Sequence, residues 1–449
     1  MFQLTIKDES NRYELTELAK MFVPAEELTF TEDADDDSSL VIPGPDEMDR
    51  NSQKRLLFEF MSEKTGKKPE WGTLTGVRPL KLFGRLVKSE GSCFAASDIL
   101  KRDYYVSGEK LQLLSEAWQT QQAVEYSADN NAVSIYVGIP FCPTRCLYCS
   151  FTSNRYEKIS AERYLNALHK EILAVRDLML LRGLRAESIY VGGGTPTSLD
   201  QDQFENLMEW VSASFMDAET KEFTVECGRP DTITEGKLKA LRDAGANRIS
   251  INPQTMQQKT LDLIGRHHSP EQIEKAFALA RKQNINIINT DLITGLPGES
   301  PEDFEDTIDR IIALAPENIT IHTLAVKKGS RLIEEDKDYS YRSGQIVREM
   351  LEIADKKLHA NDYSPYYLYR QKHMAGNFEN VGWCRPSSAN IYNIRIMEED
   401  QSIIALGAGG ISKVYYPEED RLERVPNVSN YEIYIERIDE MIERKEKGL

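Results

Sequence analysis

Val133-Ser134-Ile135-Tyr136-Val137-Gly138-Ile139-Pro140-Phe141-Cys142-Pro143-Thr144-Arg145-Cys146-Leu147-Tyr148-Cys149 runs from a β-branched segment straight into three cysteines. Val133, Ile135, Val137 and Ile139 favour an extended, buried strand, and Pro140 cannot continue its ladder, so the cysteines fall on the loop that follows. Further short β-branched runs stand at Ser188–Val191, Glu222–Glu226, Arg248–Ile251, Ile285–Asp291 and Asn318–His322. Helical stretches separate them. Ser269-Pro270-Glu271-Gln272 and Ser300-Pro301-Glu302-Asp303 each place a capping Ser, a Pro at the first helical position and acidic or amide side chains at the positive end. Strands alternating with helices predict a parallel sheet with right-handed crossovers. The fold class is α/β, and the spacing over 131–342 is that of a barrel or a partial barrel rather than an open two-winged sheet.

An α+β domain is expected over 1–130. Phe2, Leu4 and Ile6 alternate as in a strand, and Leu15, Leu18 and Phe22 recur as on a helix face. The acidic tract Glu32–Asp37 and the turn Pro43-Gly44-Pro45 are solvated connections. Trp71–Pro79 is loop-like yet apolar, and composition does not explain it. Residues 343–449 form a C-terminal α+β extension: a helix over Gln345–Leu358, a strand over Ile391–Met397, the glycine run Leu406–Gly410 and a charged helix over Tyr431–Lys447.

The 449 residues carry 55 basic and 73 acidic side chains, a net charge of −18. That argues against a nucleic-acid or anionic-membrane partner, each of which needs a basic face. No apolar run is long enough to span a bilayer, and no signal peptide is read at the N-terminus. Six cysteines do not make a disulfide scaffold in a chain this long. Three of them crowd into Cys142–Cys149, which points to a metal site in a reducing cytoplasm.

Three thiolates on one short loop can grip three corners of a cubane [4Fe-4S] cluster and leave the fourth iron open to an outside ligand. Zinc needs a fourth donor, and the closest histidine, His169, sits well into the next helix. Ligand spacing and softness favour iron–sulfur over zinc. Gly192-Gly193-Gly194-Thr195 is a bare turn at a strand end, suited to close backbone approach. Glu226, Gln254 and Asp291 stand at the ends of successive strands, where such a barrel gathers reactive groups, and Arg266 can pair with a carboxylate bidentately.

The C-x3-C-x2-C spacing resembles that of the radical S-adenosylmethionine (SAM) superfamily. With Tyr136–Phe141, Gly192–Thr197, Ile251–Gln254, Leu263–Arg266 and Asp291–Gly298 it is similar to the oxygen-independent coproporphyrinogen III dehydrogenase family. Leu74–Pro79 and Tyr367–Lys372 resemble its HemZ-type branch. The resemblance implies a [4Fe-4S] cluster on Cys142, Cys146 and Cys149. It implies a partial (β/α)6 barrel over 131–342, with SAM held by Tyr136, Tyr148, Gly193, Gly194, Thr195, Glu226, Gln254, Arg266, Asp291 and Ile411. It implies radical oxidation of a porphyrinogen or haem-like tetrapyrrole, coproporphyrinogen III to protoporphyrinogen IX, fed by a flavodoxin- or ferredoxin-type electron donor. In the dehydrogenase type a further cysteine follows the triplet, whereas here Ser150-Phe151 follow Cys149, as in the haem-binding HemW-like branch. A haem chaperone and an anaerobic haem-modifying enzyme are therefore the alternatives.

Catalytic candidates are Cys384, as a thiol donor, His322 at a strand end, and Arg145. Arg145, Lys327, Lys328, Arg331, Arg370 and Arg385 are candidates for the substrate's carboxylates, as are His267 and His268. Cys93 and Cys227 read as bystanders and His359 as surface.

Overall fold

The computed structural model describes residues 2–31, 39–127, 129, 131–149, 153–325, 344–371 and 374–449. At the N-terminus β1 (Phe2–Ile6) lies between β2 (Leu28–Phe30) and β3 (Ser39–Ile42), both parallel to it. Helices α1 (Arg12–Ala19) and α2 (Arg50–Thr65) cover this small sheet. Leu4, Leu15, Leu18, Phe22, Leu57 and Phe58 form its separate core. Helices α3 (Pro79–Glu90), α4 (Cys93–Tyr104) and α5 (Gly108–Gln122) follow, and their apolar faces share the core of the large sheet.

That sheet begins with β4 (Ala132–Ile139), then a short pair, β5 (Phe141–Cys142) and β6 (Asn154–Arg155), and α6 (Lys158–Arg182). It continues through β7 (Arg185–Gly193), α7 (Gln201–Phe215), β8 (Glu222–Gly228), α8 (Glu235–Asp243) and β9 (Arg248–Ile251). Next come α9 (Gln258–Leu263), α10 (Pro270–Lys282), β10 (Ile287–Thr294), α11 (Pro301–Ala313) and β11 (Asn318–Thr323). The long strands β4, β7, β8, β9, β10 and β11 pair in that order, all parallel, as the alternating pattern predicts. Ser269 and Ser300 cap α10 and α11 with full capping boxes.

The barrel does not close on itself. The C-terminal region supplies α12 (Gly344–His359), β12 (Ser364–Tyr369), β13 (Asn380–Cys384), α13 (Ile391–Glu398), β14 (Ile403–Leu406), β15 (Ile411–Tyr416), β16 (Arg421–Pro426), α14 (Tyr431–Glu436) and α15 (Ile438–Gly448). Antiparallel β13 and β12 extend the β11 edge, while parallel β14 and then β15 and β16 extend the β4 edge.

Two expectations for this region are corrected. Ile391–Met397 is helical, not a strand, despite its β-branched residues. Asn390 caps it by accepting from the Asn393 N–H, and the buried Glu222 carboxylate accepts from the N–H groups of Ile391 and Tyr392. A buried carboxylate at a helix N-terminus outweighs a weak local preference. Asn390→Ala is expected to cost about 1 kcal/mol, read as a lower urea midpoint at unchanged slope.

The terminal helix also breaks, at Arg437 (φ −111°, ψ 26°). Tyr434 donates to Glu171 at 2.5 Å and Lys445 pairs with the same buried carboxylate at 2.6 Å. On one straight helix those two residues would lie about 16 Å apart along the axis. Only a bend brings both to one carboxylate.

The segment around Trp71–Pro79 finds its reason here. Trp71 is buried and its indole N–H donates to Glu379 at 2.7 Å. Arg370 stacks on Trp71 and donates to the carbonyls of Leu74 and Asn377. The apolar loop is thus a tie between the N-terminal helices and β12–β13.

Candidate functional site

A cavity of about 420 Å³ opens at the C-terminal ends of the parallel strands. Period-2 alternation sends Tyr136 of β4, Tyr190 of β7, Glu226 of β8, Asn289 and Asp291 of β10, and Thr320 and His322 of β11 into it. The C-terminal strands add Tyr367, Tyr369 and Asn380, and α13 adds Asn393 and Met397.

Cys142, Cys146 and Cys149 line one side of the cavity. Their loop is pinned at several points: Tyr156 N–H donates to the Cys142 carbonyl at 2.9 Å, Leu147 N–H to Ile264 at 2.9 Å, and Cys149 N–H to Cys146 at 3.3 Å. Cys142 Sγ lies 3.6 Å from the Thr195 hydroxyl. Burial pushes the Cys142 thiol up, and Thr195 and the Arg229 guanidinium oppose that. Among the described residues no three metal-ligating side chains converge as they would on a single ion. A cubane is gripped at separate corners by soft sulfur donors, and the three thiols on this cavity wall supply that donor set.

The Gly192–Thr195 turn packs tightly onto the cysteine loop. Gly194 and Thr195 donate to the carbonyls of Ile139 and Phe141, both at 2.7 Å. A Cβ on Gly194 would stand 2.5 Å from the Phe141 carbonyl, and Gly193 has φ +111°. Gly193 N–H donates to Glu226 at 3.2 Å. The N–H groups of Gly193, Gly194 and Thr195 are thus paired inside the protein, and the turn has carbonyl oxygens and side-chain-free space to offer a ligand.

Two carboxylates face the cavity with opposite tendencies. Burial raises Glu226 to about 7, with Asp291 adding to the effect, although Tyr190 donates to it at 2.6 Å. Burial also works to raise Asp291, but His322, Asn289 and Thr320 outweigh it and hold it below the usual range. Asn289 donates to Asp291 at 2.9 Å, and His322 Nε2 lies 3.8 Å away. Nearby, the rings of Tyr136, Tyr190 and Tyr392 stack, Tyr190 and Tyr392 at 4.6 Å between centroids.

Arg266 is 5% exposed and donates to Tyr148 at 3.1 Å and to the carbonyls of Gly228 and Asn252. Its Nε and the Asn252 side-chain oxygen are buried without a partner, and both residues line the cavity. A buried donor left open on a cavity wall fits an anionic group of a ligand. Gln254 adopts φ +71°, held by its N–H on the Asp291 carbonyl at 3.0 Å.

Not every expected residue is brought in. Ile411 is 47% exposed on β15 and does not line the cavity. Cys384 pairs in register with Asn318 at the N-terminal end of β11, and Arg385 donates to Glu317, so both lie at the opposite end of the barrel. Arg370 is spent on the Trp71 tie, and Arg145 is outside the cavity lining. His267 is exposed, and His359 bonds Glu116 beside Trp383. Lys327, Lys328, Arg331, Lys372, Ser150 and Phe151 lie outside the described residues. Sequence reasoning missed Tyr190, Tyr392 and Arg229; the inward face of β7, marked by Ser188 and Gly192, was the signal for Tyr190.

Comparison with known proteins adds a second line. The model of the radical SAM superfamily matches residues 136–311. The chain is 38% identical over 405 residues to the oxygen-independent coproporphyrinogen-III oxidase-like protein HemZ of Bacillus subtilis (strain 168), covering 89% of this chain and 81% of that one. It is 32% identical over 239 residues to the heme chaperone HemW of the same organism, covering 52% of this chain and 62% of the other. The solved coproporphyrinogen III oxidase HemN of Escherichia coli shares the fold, with a TM-score of 0.56 at 24% identity over 75% of this chain and 73% of that one.

Proposed function

This chain belongs to the radical SAM superfamily, in the branch of oxygen-independent coproporphyrinogen-III oxidase-like proteins represented by HemZ, and on that premise we propose that it oxidatively decarboxylates two propionates of coproporphyrinogen III to the vinyl groups of protoporphyrinogen IX. Likeness to HemZ along nearly the whole chain carries this reading, because it includes the C-terminal strands and helix that wall the cavity.

When bound, a [4Fe-4S] cluster and SAM, the cofactors of this superfamily, supply an electron and a 5′-deoxyadenosyl radical that takes a hydrogen atom. Cys142, Cys146 and Cys149 would hold the cluster. Arg266, with its open Nε, would meet the methionine carboxylate, and Glu226 with the carbonyls of the glycine turn would meet the ammonium. Asp291, kept ionised by His322 and Asn289, would accept from the ribose hydroxyls. Tyr136 and Tyr190 line the cavity with their rings stacked on the buried Tyr392, and would give the bound groups an apolar wall. Each propionate loses a β-hydrogen atom, CO2 and one electron, the last to an external acceptor. A flavodoxin- or ferredoxin-type protein would supply the reducing electrons.

Anaerobic incubation of reconstituted protein with coproporphyrinogen III, SAM and a strong reductant is expected to yield vinyl products by mass spectrometry. Intact substrate together with tight stoichiometric haem binding would instead select a haem carrier. The likeness to HemW favours that second reading.

A further inference from the structure

We propose that Arg229 is a positioning residue of the cysteine loop: braced by Asp231, it latches Thr144 between the first two cysteines and sets a buried positive charge against the cluster. The inference rests on the reading of that loop as a cluster site.

Arg229 follows β8 and is 3% exposed. Its Nε and Nη2 hold both oxygens of Asp231, at 3.0 and 2.9 Å, and its Nη1 donates to the Thr144 hydroxyl at 2.5 Å. Thr144 is two residues from Cys142 and two from Cys146. Arg229 also lines the cavity beside both. A planar guanidinium can serve a carboxylate and a hydroxyl at once from a fixed fork, which an ammonium cannot do.

The charges are unevenly placed. The Asp231 side chain is 25% exposed and that of Arg229 is 4% exposed, so solvent screens the anion more than the cation. Arg266, which also donates to the Gly228 carbonyl beside Arg229, bonds Tyr148 next to Cys149. His268 lies against the two arginines, is 3% exposed, and has no partner on either ring nitrogen. Burial and both guanidinium groups hold it neutral. The protein thus sets two cations beside the thiolates, and cluster potentials respond to nearby net charge.

Four full-length variants, reconstituted anaerobically, separate latch from charge. The readouts are the midpoint potential by EPR-monitored titration and the rate of iron release to a chelator. Arg229→Gln should shift the reduction equilibrium about fivefold toward the oxidised cluster, about 40 mV lower at 59 mV per decade, and should release iron several-fold faster. Arg229→Lys and Thr144→Val should release iron faster at nearly parental potential. Asp231→Asn should move the potential the opposite way. Parental potential in Arg229→Gln, or a parental release rate in Thr144→Val, would overturn the proposal even if the other arginine variant fails to fold. Failure of the parental protein itself to take up iron would overturn the cluster reading, and it is measured on the parental chain alone.

Discussion

Cys146→Ala is expected to yield a folded protein that no longer holds iron. The loop around Cys146 is shaped by main-chain bonds that do not use the thiol: Leu147 to Ile264, Tyr156 to Cys142, and Thr195 to Phe141. Removing one sulfur from a side chain only 9% exposed leaves a small apolar gap, so far-UV circular dichroism should be unchanged. Loss of an outer-shell partner of a metal ligand costs about 10- to 100-fold in affinity, and loss of a ligand itself should exceed that range. After anaerobic reconstitution the visible thiolate-to-iron absorbance, the iron and the acid-labile sulfide should fall to background, and 5′-deoxyadenosine release from SAM should cease. Cys384→Ala is the matched control. Cys384 is also buried, at 3% exposed, but lies at the other end of the barrel, paired with Asn318, so its removal should leave iron content at the parental level. Retained iron in the Cys146 variant, or zinc in the parental protein, would defeat the assignment of the triplet.

The barrel was legible in the sequence because its strands are buried on both faces and its helices start with strong local signals. Arg248–Ile251 matches the structure end to end, and Ser269 and Ser300 cap where expected. Errors fell where tertiary partners override local preference. Ile391–Met397 reads as a strand until the Glu222 carboxylate, far away in sequence, takes its first two N–H groups. Tyr434 and Lys445 read as one helix until both reach Glu171.

The same limit governs the site. Strand-end residues such as Glu226 and Asp291 are visible as positions, but their contrasting acidities come from the fold: burial raises Glu226, while His322, Asn289 and Thr320 hold Asp291 down. Cys384 and Arg385 looked useful as chemistry, and the antiparallel course of β13 carries both to the far end. Arg229, just past β8, carries no local signal of a role. It is buried, and its Thr144 partner belongs to a different strand-helix unit.

Glu226→Gln is expected to weaken SAM binding strongly and to erase a pH dependence that the parental protein shows. Glu226 sits at the end of β8 with Tyr190 and the Gly193 N–H on its oxygens. Burial is the main cause of its rise from 4.5 to about 7. A folded-state pKa above the unfolded value means that the folded protein binds more protons between the two. For the ligand-free protein, the associated stability is therefore full below about 4.5 and is lost as pH climbs through about 7. Binding of a cationic ammonium runs the other way, because it needs the carboxylate. Near pH 6 only about a tenth of the sites are ionised, and near pH 8 most are, so SAM affinity should rise by up to about tenfold across that interval. The ligand's own α-amino group, with a pKa of about 7.7–8.0, imposes a decline above that range, so the rising limb alone reports on Glu226. Hydrogen bonds to charged groups are worth about 1.5–3 kcal/mol, which sets the loss in Glu226→Gln at roughly 10- to 150-fold near pH 7.5. Equilibrium dialysis with the cluster-loaded protein measures both effects without turnover. A rising limb that survives in the Gln variant would assign the ammonium to another acceptor, and the carbonyls of the Gly193–Gly194 turn, whose N–H groups are already spent, are the groups the geometry leaves for that role.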